Sequence, residues 1–513
     1  MRQLCGLIVV KDEPDDPGVC GDQPMMEAKE ACGVFGVYAP GRPVAHLTFD
    51  GLYALQHRGQ ESAGMAVCDG DAITVMKDMG LVTTVFDERK LSGLRGYMAI
   101  GHTRYSTAGS SDWMHAQPVF RGVGRAGFAL GHNGNLTNTV ALGEKANMLP
   151  GLVSSDSDLV AELLGQSFPP DDSDRSREDV AGDLEAALLS VLPSVEGAFS
   201  FVLLDAERLI GVRDPNGFRP LCLGRLEPTE EFETGWVLAS ESPALDVIGA
   251  TFIRELEPGE MVVIDGKEVR SERPFPVERL DPKLCIFEFV YFARPDTTLY
   301  GTEVHGARRR MGQLLASQAP VPADLVMGVP DSGVPAAEGY AVASGIPYGQ
   351  GLVKNRYIGR TFIAPTQAER ANGVRRKLNP LKENIKGKRV IVVDDSIVRG
   401  TTTRAMVTML RESGAAEVHL RISSPPFRWP CFYGIDTPDR TELLAAIKSN
   451  DEIEEFLNVD SLEYLTLENL VAAINTPGAG FCDACLTGDY PVQVPVEFSD
   501  RTALSGAASG NPA

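Results

Sequence analysis

The chain has 513 residues, 43% of them hydrophobic, with 48 basic and 70 acidic side chains and a formal net charge of −22. Nucleic acids and anionic membranes bind basic surfaces, so this charge argues against both as partners. No apolar run approaches the length of a membrane span, and nine cysteines, an odd number, do not suggest a disulfide framework. We expect a cytoplasmic protein of two to four domains that binds anions at local clusters of positive charge.

The pattern of the sequence changes twice along the chain. Residues 1–31 are acidic and non-periodic, which predicts a leader outside the folded core. Over 32–265, called the first half below, strands recur with glycine-rich turns and two helical regions, which predicts a layered α+β domain. Over 274–498, the second half, strands alternate with turns and helices, which predicts an α/β domain with a parallel, doubly wound sheet. Residues 499–513 are small and polar and are predicted to be a disordered tail.

Several elements can be placed from periodicity and composition. Strands are predicted at 31–38, 97–104, 128–132, 198–204, 236–239, 325–329, 390–393 and 417–424. Helices are predicted at 48–57, 158–164, 183–192, 332–343 and 402–413, the last ending before Gly414.

Cys32 begins a strand-like segment flanked by small residues that let a ligand approach the backbone. A lone cysteine in such a place is usually a small core hydrophobe. Four further motifs, however, place charged or amide groups among glycines at strand ends. They are HRGQES (57–62), GHTRYST (101–107), GHNGNL (131–136) and SDSD (155–158). In order and spacing, the five motifs together resemble the class II glutamine amidotransferases of the N-terminal-nucleophile type.

This resemblance implies an αββα glutaminase domain in which the leader is removed and Cys32 becomes the first residue. The α-amine of Cys32, which titrates near neutrality, would then serve as the base for its own thiol. The implied oxyanion hole is the Asn133 side chain with the Gly134 N–H. Arg104 would bind the carboxylate of glutamine, and Asp156 would bind its ammonium. The alternatives are a surface ion pair for Arg104 and a helix N-cap for Asp156.

In the second half, residues 389–403 (RVIVVDDSIVRGTTT) join a buried strand to a turn suited to phosphate. The acids Asp394 and Asp395 follow a β-branched run, at the end of the strand where open α/β sheets bind ligands. A glycine and three threonines then offer N–H and hydroxyl groups at the start of a helix. These residues predict a site for a phosphorylated sugar.

The same stretch resembles the phosphoribosyl diphosphate (PRPP) motif of type I phosphoribosyltransferases. In that family the acid pair binds the ribose hydroxyls and the turn binds the 5-phosphate. Residues 328–335 resemble the pyrophosphate loop, with a metal nearby, and the basic residues 354–362 resemble a mobile loop that closes over PRPP and excludes water. The implied PRPP contacts are Ser332, Lys354, Arg356, Asp394, Asp395, Ser396, Gly400, Thr401 and Thr402. Magnesium is implied at Ser332, Asp394 and Asp395.

Four cysteines of the second half form a further candidate site. Cys482 and Cys485 make a C-x-x-C pair, which alone is compatible with redox chemistry, zinc or an iron–sulfur cluster. Cys285 and Cys431 lie beside aromatic residues, and their contexts resemble the cluster-bearing branch of the amidophosphoribosyltransferases. In that branch four such cysteines hold a [4Fe–4S] cluster, although four thiolates also suit structural zinc.

Over residues 32–490 the chain resembles the amidophosphoribosyltransferases as a whole. The resemblance implies the first committed step of purine synthesis: glutamine, PRPP and water give 5-phosphoribosylamine, pyrophosphate and glutamate, with ammonia passing between two sites. It also implies purine nucleotides as feedback inhibitors and a homotetramer. The alternatives are a non-catalytic PRPP-sensing regulator, whose basic DNA-binding surface is absent, and a class II amidotransferase with a different acceptor, against which the motif at 394–402 argues.

Overall fold

The computed structural model of the chain describes residues 32–105, 113–123, 127–148, 155–169, 182–266, 268–355, 377–435, 437, 439–476, 478 and 480–494. The predicted leader, the predicted tail and the predicted PRPP contact Arg356 lie outside the described residues. Among the helices described, none is both long and apolar enough to span a bilayer.

The strands of the first half form two antiparallel sheets. In chain order they are Gly33–Tyr38 (β1), Ser62–Cys68 (β2), Ile73–Met79 (β3), Met98–Arg104 (β4), Val119–Arg121 (β5), Phe128–Leu136 (β6), Gly197–Leu204 (β7), Arg208–Arg213 (β8), Cys222–Leu226 (β9), Gly235–Ala239 (β10), Thr251–Glu255 (β11), Met261–Asp265 (β12) and Glu268–Glu272 (β13). One sheet has the order β11-β9-β10-β1-β4-β2-β3, and the other has the order β13-β12-β8-β7-β6-β5. Every residue of β1 is buried, because the strand lies inside the first sheet and both faces of that sheet are covered, one by helices and the other by the second sheet.

Helices cover the outer face of each sheet. They are Val44–Ala54 (α1), Val82–Val85 (α2), Glu88–Gly93 (α3), Thr139–Lys145 (α4), Asp156–Gln166 (α5), Asp183–Val191 (α6) and Pro243–Asp246 (α7). Helices α1, α2, α3 and α7 pack on the first sheet through a cluster that includes Phe35 and Leu52. Helices α4, α5 and α6 pack on the second sheet through Leu188 and Phe199, and side chains such as Val202 fill the space between the sheets. The first half is therefore an αββα sandwich, as predicted.

The second half is built on a parallel sheet. Its strands are Leu284–Cys285 (β14), Thr298–Leu299 (β15), Thr302–Glu303 (β16), Leu325–Gly328 (β17), Leu352–Lys354 (β18), Leu378–Pro380 (β19), Arg389–Asp394 (β20), Glu417–Ile422 (β21), Ser461–Tyr464 (β22) and Phe481–Cys482 (β23). Its helices are Val304–Gln318 (α8), Val334–Ser344 (α9), Lys382–Ile385 (α10), Thr401–Glu412 (α11), Leu444–Ile447 (α12), Asn450–Leu457 (α13), Leu467–Ile474 (α14) and Ala484–Thr487 (α15), and a π-helix spans Glu288–Phe292. The four strands β17-β20-β21-β22 are parallel. Helices α8 and α9 pack on one face and α11 and α13 contribute to a second cluster, so the predicted α/β fold is confirmed.

The predicted elements that fall on described residues are present, with shifted ends. The helix predicted at 48–57 begins four residues earlier, at Val44, directly after Pro43. The helix predicted at 332–343 begins at Val334 and carries a proline in its first turn, where no intrahelical N–H is required. Helix α11 ends at Glu412, one residue before the predicted end, and the Gly414 N–H donates to the Arg411 carbonyl at 2.9 Å. The limits of the two halves at 265 and 274 stay predictions.

Candidate active site

The Cys32 thiol lies at the start of β1, inside the αββα sandwich. The side chain is only 6% exposed, and its Sγ donates to the Tyr105 carbonyl, 3.5 Å away, just after β4. Burial raises the pKa of this thiol; the Arg104 guanidinium opposes the rise, and the Asp156 and Glu61 carboxylates add to it. Arg104 and Asp156, the two predicted glutamine contacts, therefore both lie close enough to Cys32 to change the pKa of its thiol. The structure brings these three residues together.

Asn133 lies on β6 and is fully buried. Neither its Nδ2 nor its Oδ1 has a hydrogen-bond partner among the described residues. Leaving a buried polar group unpaired costs about 1–3 kcal/mol, so such groups are rare in folded proteins. One explanation for such a group is that it binds a ligand. An unpaired amide with an N–H donor is suited to stabilising an oxyanion.

Gly134 follows Asn133 in a backbone conformation that favours glycine. Its φ is +151°, and a Cβ there would lie 2.0 Å from the Ala198 carbonyl oxygen. A side chain at this position would force β6 away from β7. The main chain beside the unpaired Asn133 amide is therefore held in a conformation that other residues could not adopt without strain.

Asp156 is the first residue of α5, and the N-cap of that helix is Ser155, whose hydroxyl accepts from the Asp158 N–H at 3.2 Å. The alternative of an N-cap role for Asp156 is therefore wrong. Its carboxylate accepts from the Leu136 N–H at 3.1 Å and from the Ser157 N–H at 2.7 Å. Burial raises the pKa of Asp156, but His132 and these N–H groups outweigh burial and leave it lowered. The carboxylate is thus held ionised and can bind an ammonium group.

Arg104 ends β4 and is buried, so the alternative of a surface ion pair is also wrong. Its Nη1 lies 3.8 Å from Oε2 of Glu61, which is an ion-pair distance but not a hydrogen bond. Nη1 has no hydrogen-bond partner among the described residues. The guanidinium therefore keeps donor capacity for a substrate carboxylate.

Gln117 is a buried site residue that the sequence motifs did not indicate. Its Oε1 accepts from the His132 N–H at 2.8 Å, and its Nε2 donates to the Ser157 hydroxyl at 3.0 Å. The Ser157 hydroxyl is also 3.0 Å from Nδ1 of His132. Gln117 thereby ties β6, which carries Asn133, to the start of α5. A glutamine beside a proline, outside any predicted element, gave no signal of this role.

The acids of the second half lie at the carboxyl end of β20, as predicted. Asp395 accepts hydrogen bonds from the Ser332 hydroxyl and, at 2.6 Å, from the Ser396 hydroxyl. The Asp394 carboxylate accepts from the Asp395 N–H at 3.0 Å. Ser332 reaches the acids because it follows β17, which runs parallel to β20 and pairs with it. The loops after two neighbouring strands thus meet at one edge of the sheet, where such sheets bind ligands.

The remaining described candidates of the second half lie around the same edge. Gly400 is the N-cap residue of α11, and Thr401 and Thr402 form its first turn, where backbone N–H groups have no partner within the helix. Lys354 ends β18 and forms an exposed ion pair with Asp331, at 2.7 Å, in the loop after β17. An anion that enters this site has to compete with Asp331 for the Lys354 ammonium.

The four cysteines converge in one buried cluster of the second half. Cys285 and Cys482 face each other in the parallel pair β14–β23, and the Cys431 Sγ accepts from the Tyr433 N–H at 3.3 Å. Burial raises the pKa of Cys285 to about 12, and it also raises the pKa of Cys482 and Cys485, with the other cysteines adding to each rise. Within the described ranges, however, no group of three or more His, Cys, Asp or Glu side chains is arranged to hold a metal ion. The donor set suits a soft metal, but the thiols do not form a finished coordination site.

Comparisons with known proteins match both halves. A family model for the glutamine amidotransferase domain matches residues 102–247, and one for the phosphoribosyl transferase domain matches residues 303–423. A solved structure of glutamine phosphoribosylpyrophosphate (PRPP) amidotransferase from B. subtilis, complexed with ADP and GMP, superposes with a TM-score of 0.81 at 42% identity, covering 92% of this chain and 99% of that one.

Curated relatives match almost the whole length. The amidophosphoribosyltransferase of Mycobacterium tuberculosis (strain CDC 1551 / Oshkosh) is 52% identical over 517 aligned residues, covering 96% of this chain and 94% of that protein. The amidophosphoribosyltransferase of Synechococcus elongatus is 50% identical, covering 92% of this chain and 93% of that protein. With this identity over both halves, the chain belongs to the amidophosphoribosyltransferase family.

Proposed function

We propose that this protein catalyses the first committed step of purine biosynthesis, in which glutamine, PRPP and water give 5-phosphoribosylamine, pyrophosphate and glutamate. The observation that carries this proposal is the extent of the family match, which spans both sites in a single chain. A non-catalytic regulator would have no need for an unpaired, buried amide at Asn133 and a buried thiol at Cys32 in the same domain. An amidotransferase with another acceptor would not need the phosphoribosyl transferase domain.

The first half releases ammonia from glutamine. After removal of residues 1–31, the α-amine of Cys32 accepts the thiol proton, and the thiolate attacks the amide carbon. Ammonia leaves, and water hydrolyses the thioester to give glutamate. Because burial raises the pKa of the thiol, an ionised thiol is costly before substrate arrives, and proton transfer to the amine accompanies the attack. The Asn133 amide and the Gly134 N–H stabilise the oxyanion that forms in each step.

The substrate is oriented by two opposite charges. The Arg104 guanidinium binds the α-carboxylate, and the Asp156 carboxylate, whose pKa is lowered, binds the α-ammonium. Support comes from the burial of Arg104 and from the donor capacity left on its guanidinium. A zwitterion held at both ends presents its side-chain amide to Cys32 in one orientation.

The second half joins ammonia to the sugar. Asp394 and Asp395 bind the ribose hydroxyls, the turn from Gly400 to Thr402 binds the 5-phosphate, and Ser332 and Lys354 lie on the pyrophosphate side. Ammonia forms a bond to C1 of the ribose as the bond to pyrophosphate breaks. Water has to be kept out, because it would compete with ammonia for the same carbon.

Magnesium fits the donors at this edge of the sheet. Ser332, Asp394 and Asp395 would hold it through hydroxyl and carboxylate oxygens, the ligands this ion prefers. The hydrogen bond that joins Ser332 to Asp395 keeps two of these donors together. When bound, the ion neutralises charge on the departing pyrophosphate.

The four cysteines Cys285, Cys431, Cys482 and Cys485 would hold a [4Fe–4S] cluster. The support is their convergence in one buried cluster lined by aromatic rings, which would shield such a centre from water and oxygen. The centre would act structurally, by joining segments that are distant along the chain. Four thiolates suit zinc as well, so metal analysis decides between the two.

Two further properties complete the proposal. Purine nucleotides inhibit the enzyme; the support is the relative from B. subtilis, whose structure contains ADP and GMP. The enzyme is a homotetramer, a property that rests on the family resemblance alone and that sedimentation of purified protein tests.

The decisive assay is PRPP-dependent release of glutamate by purified protein. Cys32→Ala should abolish glutamine-dependent synthesis and leave synthesis from added ammonia, because the acceptor site lies in the other half. Cys222→Ala is the matched control, since Cys222 is also a buried cysteine of the first half but packs against the outer helices. Loss of both activities in a folded Cys32→Ala protein would contradict the two-site proposal.

The intact mass of the purified protein tests the removal of residues 1–31, because active protein should begin at Cys32.

A further inference from the structure

The second half contacts the first half directly beside Gly134. The contact is made by residues 431–435, called the bracing segment below. The Asn135 Nδ2 donates to the Phe432 carbonyl at 2.9 Å. A Cβ on Gly434 would lie 3.2 Å from both the Cα and the carbonyl carbon of Gly134. The same Cβ would lie 3.0 Å from Nη2 of Arg219, so a side chain at Gly434 would require these neighbours to shift by a few tenths of an ångström.

The bracing segment is also fixed by several contacts other than the one with Gly134. Arg219 of the first half donates to the Tyr433 carbonyl through Nε at 3.1 Å and Nη2 at 2.8 Å. The Tyr433 ring stacks on Phe218, with centroids 4.5 Å apart and planes at 10°. Within the second half, the Tyr433 hydroxyl donates to the Val492 carbonyl at 2.5 Å and accepts from the Val492 N–H at 3.0 Å. The segment thus behaves as a rigid support rather than a loose loop.

We propose that the bracing segment holds the oxyanion donor of the glutaminase site in place, so that Gly434 and Asn135 are positioning residues for a reaction catalysed in the other half. The inference rests on the proposed role of Asn133 and Gly134 in the oxyanion hole. In this proposal neither Gly434 nor Asn135 binds glutamine; each acts through the main chain of Gly134.

Gly134 is confined on two sides, which limits how far the oxyanion donor can move. On one side, Gly134 is confined by β7, where a Cβ would meet the Ala198 carbonyl oxygen at 2.0 Å. On the other side, Gly434 limits its movement. An oxyanion donor must be held to within about 0.5 Å, and a displacement of about 1 Å can cost roughly 10²-fold in rate. The consequence is that efficient hydrolysis of glutamine depends on this contact with the acceptor half, which receives the ammonia.

The test compares two glycine substitutions. Gly434→Ala adds a methyl group between the two main chains, and we expect kcat for glutamate release to fall by about 10²-fold, the effect of losing one oxyanion donor. The KM for glutamine should stay unchanged, because Arg104 and Asp156 are untouched, and ammonia-dependent synthesis should also stay unchanged. Gly478→Ala is the control: its φ of +80° imposes similar backbone strain, but none of the described residues has an atom within 4 Å of the added Cβ. Its kcat should match that of the parent protein.

A second variant covers the case in which Gly434→Ala does not fold. Asn135→Ala removes the contact with Phe432 without adding bulk, and we expect a fall in kcat in the same direction at constant KM. Equal losses of glutamine-dependent and ammonia-dependent synthesis, or a rise in KM at constant kcat, would overturn the inference.

Asn133→Ala separates a failure of this inference from a failure of the proposed function. If Asn133→Ala retains full kcat, the oxyanion assignment itself fails; if it loses kcat while Gly434→Ala and Asn135→Ala retain it, only the bracing role fails.

Discussion

The Glu288 carboxylate of the second half accepts two hydrogen bonds from Arg58 of the first half, at 2.5 Å from Nη2 and 3.3 Å from Nη1. Both side chains are buried. The same carboxylate accepts from Arg219 Nη1 at 3.2 Å, and the Arg58 Nε donates to Glu241. Two carboxylates and two guanidinium groups thus form one buried network at the junction of the halves. Each carboxylate there faces at least one guanidinium that has no access to water.

Glu288→Gln should destabilise the protein strongly. The substitution keeps the shape of the side chain but leaves Arg58 and Arg219 with one negative charge fewer, and breaking a buried ion pair costs about 3–5 kcal/mol. The matched control is Glu227→Gln, which breaks the exposed pair with Arg225 at 2.7 Å, a type of pair worth about 0–1 kcal/mol. The measurement is the midpoint of denaturant unfolding. Similar shifts for the two variants would show that the buried network contributes no more to stability than an exposed ion pair does.

The sequence indicated the local part of each site well. Cys32 lies directly before β1 and Asp156 begins α5, as their motifs indicated, and the Asp156 carboxylate acts on the pKa of the Cys32 thiol. Asn133 lies within β6 rather than at its end. The two acids after β20 were likewise predictable, because a buried β-branched run fixes where the strand ends.

Contacts between distant segments could not be predicted in this way. Arg58 and Glu288 are 230 residues apart, and neither residue type reveals its partner. Gly434 gives no sign in the sequence that it faces Gly134, since glycine is common in turns. The lateral order of the strands also depends on long-range pairing: β1 lies beside β10 and β4, neither of which is its neighbour along the chain.

Arg104→Lys should weaken glutamine binding more than turnover. Lysine keeps the charge but loses the planar pair of donors that matches a carboxylate. A charge-assisted hydrogen bond is worth about 1.5–3 kcal/mol, so we expect the KM for glutamine to rise by roughly 10- to 100-fold while ammonia-dependent synthesis is unchanged. Steady-state kinetics with each nitrogen donor measures both. An unchanged KM would remove Arg104 from the substrate site.

Asp395→Asn should lower synthesis from both glutamine and ammonia. The change removes a carboxylate that accepts from Ser332 and Ser396, and with it one of the proposed ligands of the ribose and of magnesium. Asp324→Asn is the control, because Asp324 pairs with Arg389 at the opposite end of β20. The measurement is the KM for PRPP with saturating ammonia. An effect of equal size in the control would show a general loss of stability of the sheet.

The buried His102 should make the protein less stable towards unfolding at acid pH. It is fully buried, its Nε2 lies 2.9 Å from the His132 carbonyl oxygen, and burial lowers its pKa from 6.5 to about 3. Between pH 6.5 and about pH 3 the unfolded chain therefore binds a proton here that the folded chain does not, so stability falls as pH falls through this range. His102→Gln can still donate to the carbonyl but does not titrate. Its unfolding midpoint should drop less than that of the parent protein between pH 7.5 and pH 5, and an equal drop would contradict the prediction.

The four cysteines give the last prediction, which separates iron–sulfur from zinc. Protein purified without oxygen should be brown and contain about four irons per chain, the stoichiometry of a [4Fe–4S] centre. Cys482→Ala should lose the iron, because Cys482 lies opposite Cys285 in β14–β23 and within the same buried cluster as the other two thiols. Cys222→Ala should keep it, since Cys222 belongs to a separate cluster of the first half.

Exposure to oxygen tests the structural role of the same centre. The centre would join Cys285, near the junction of the halves, to Cys431 and to the C-terminal pair, so its loss removes a cross-link between distant segments. We therefore expect a lower unfolding midpoint after oxygen exposure in the parent protein and no further change in Cys482→Ala. Stoichiometric zinc without visible absorption would refute the cluster and leave the amidotransferase function standing, because neither substrate site uses these thiols.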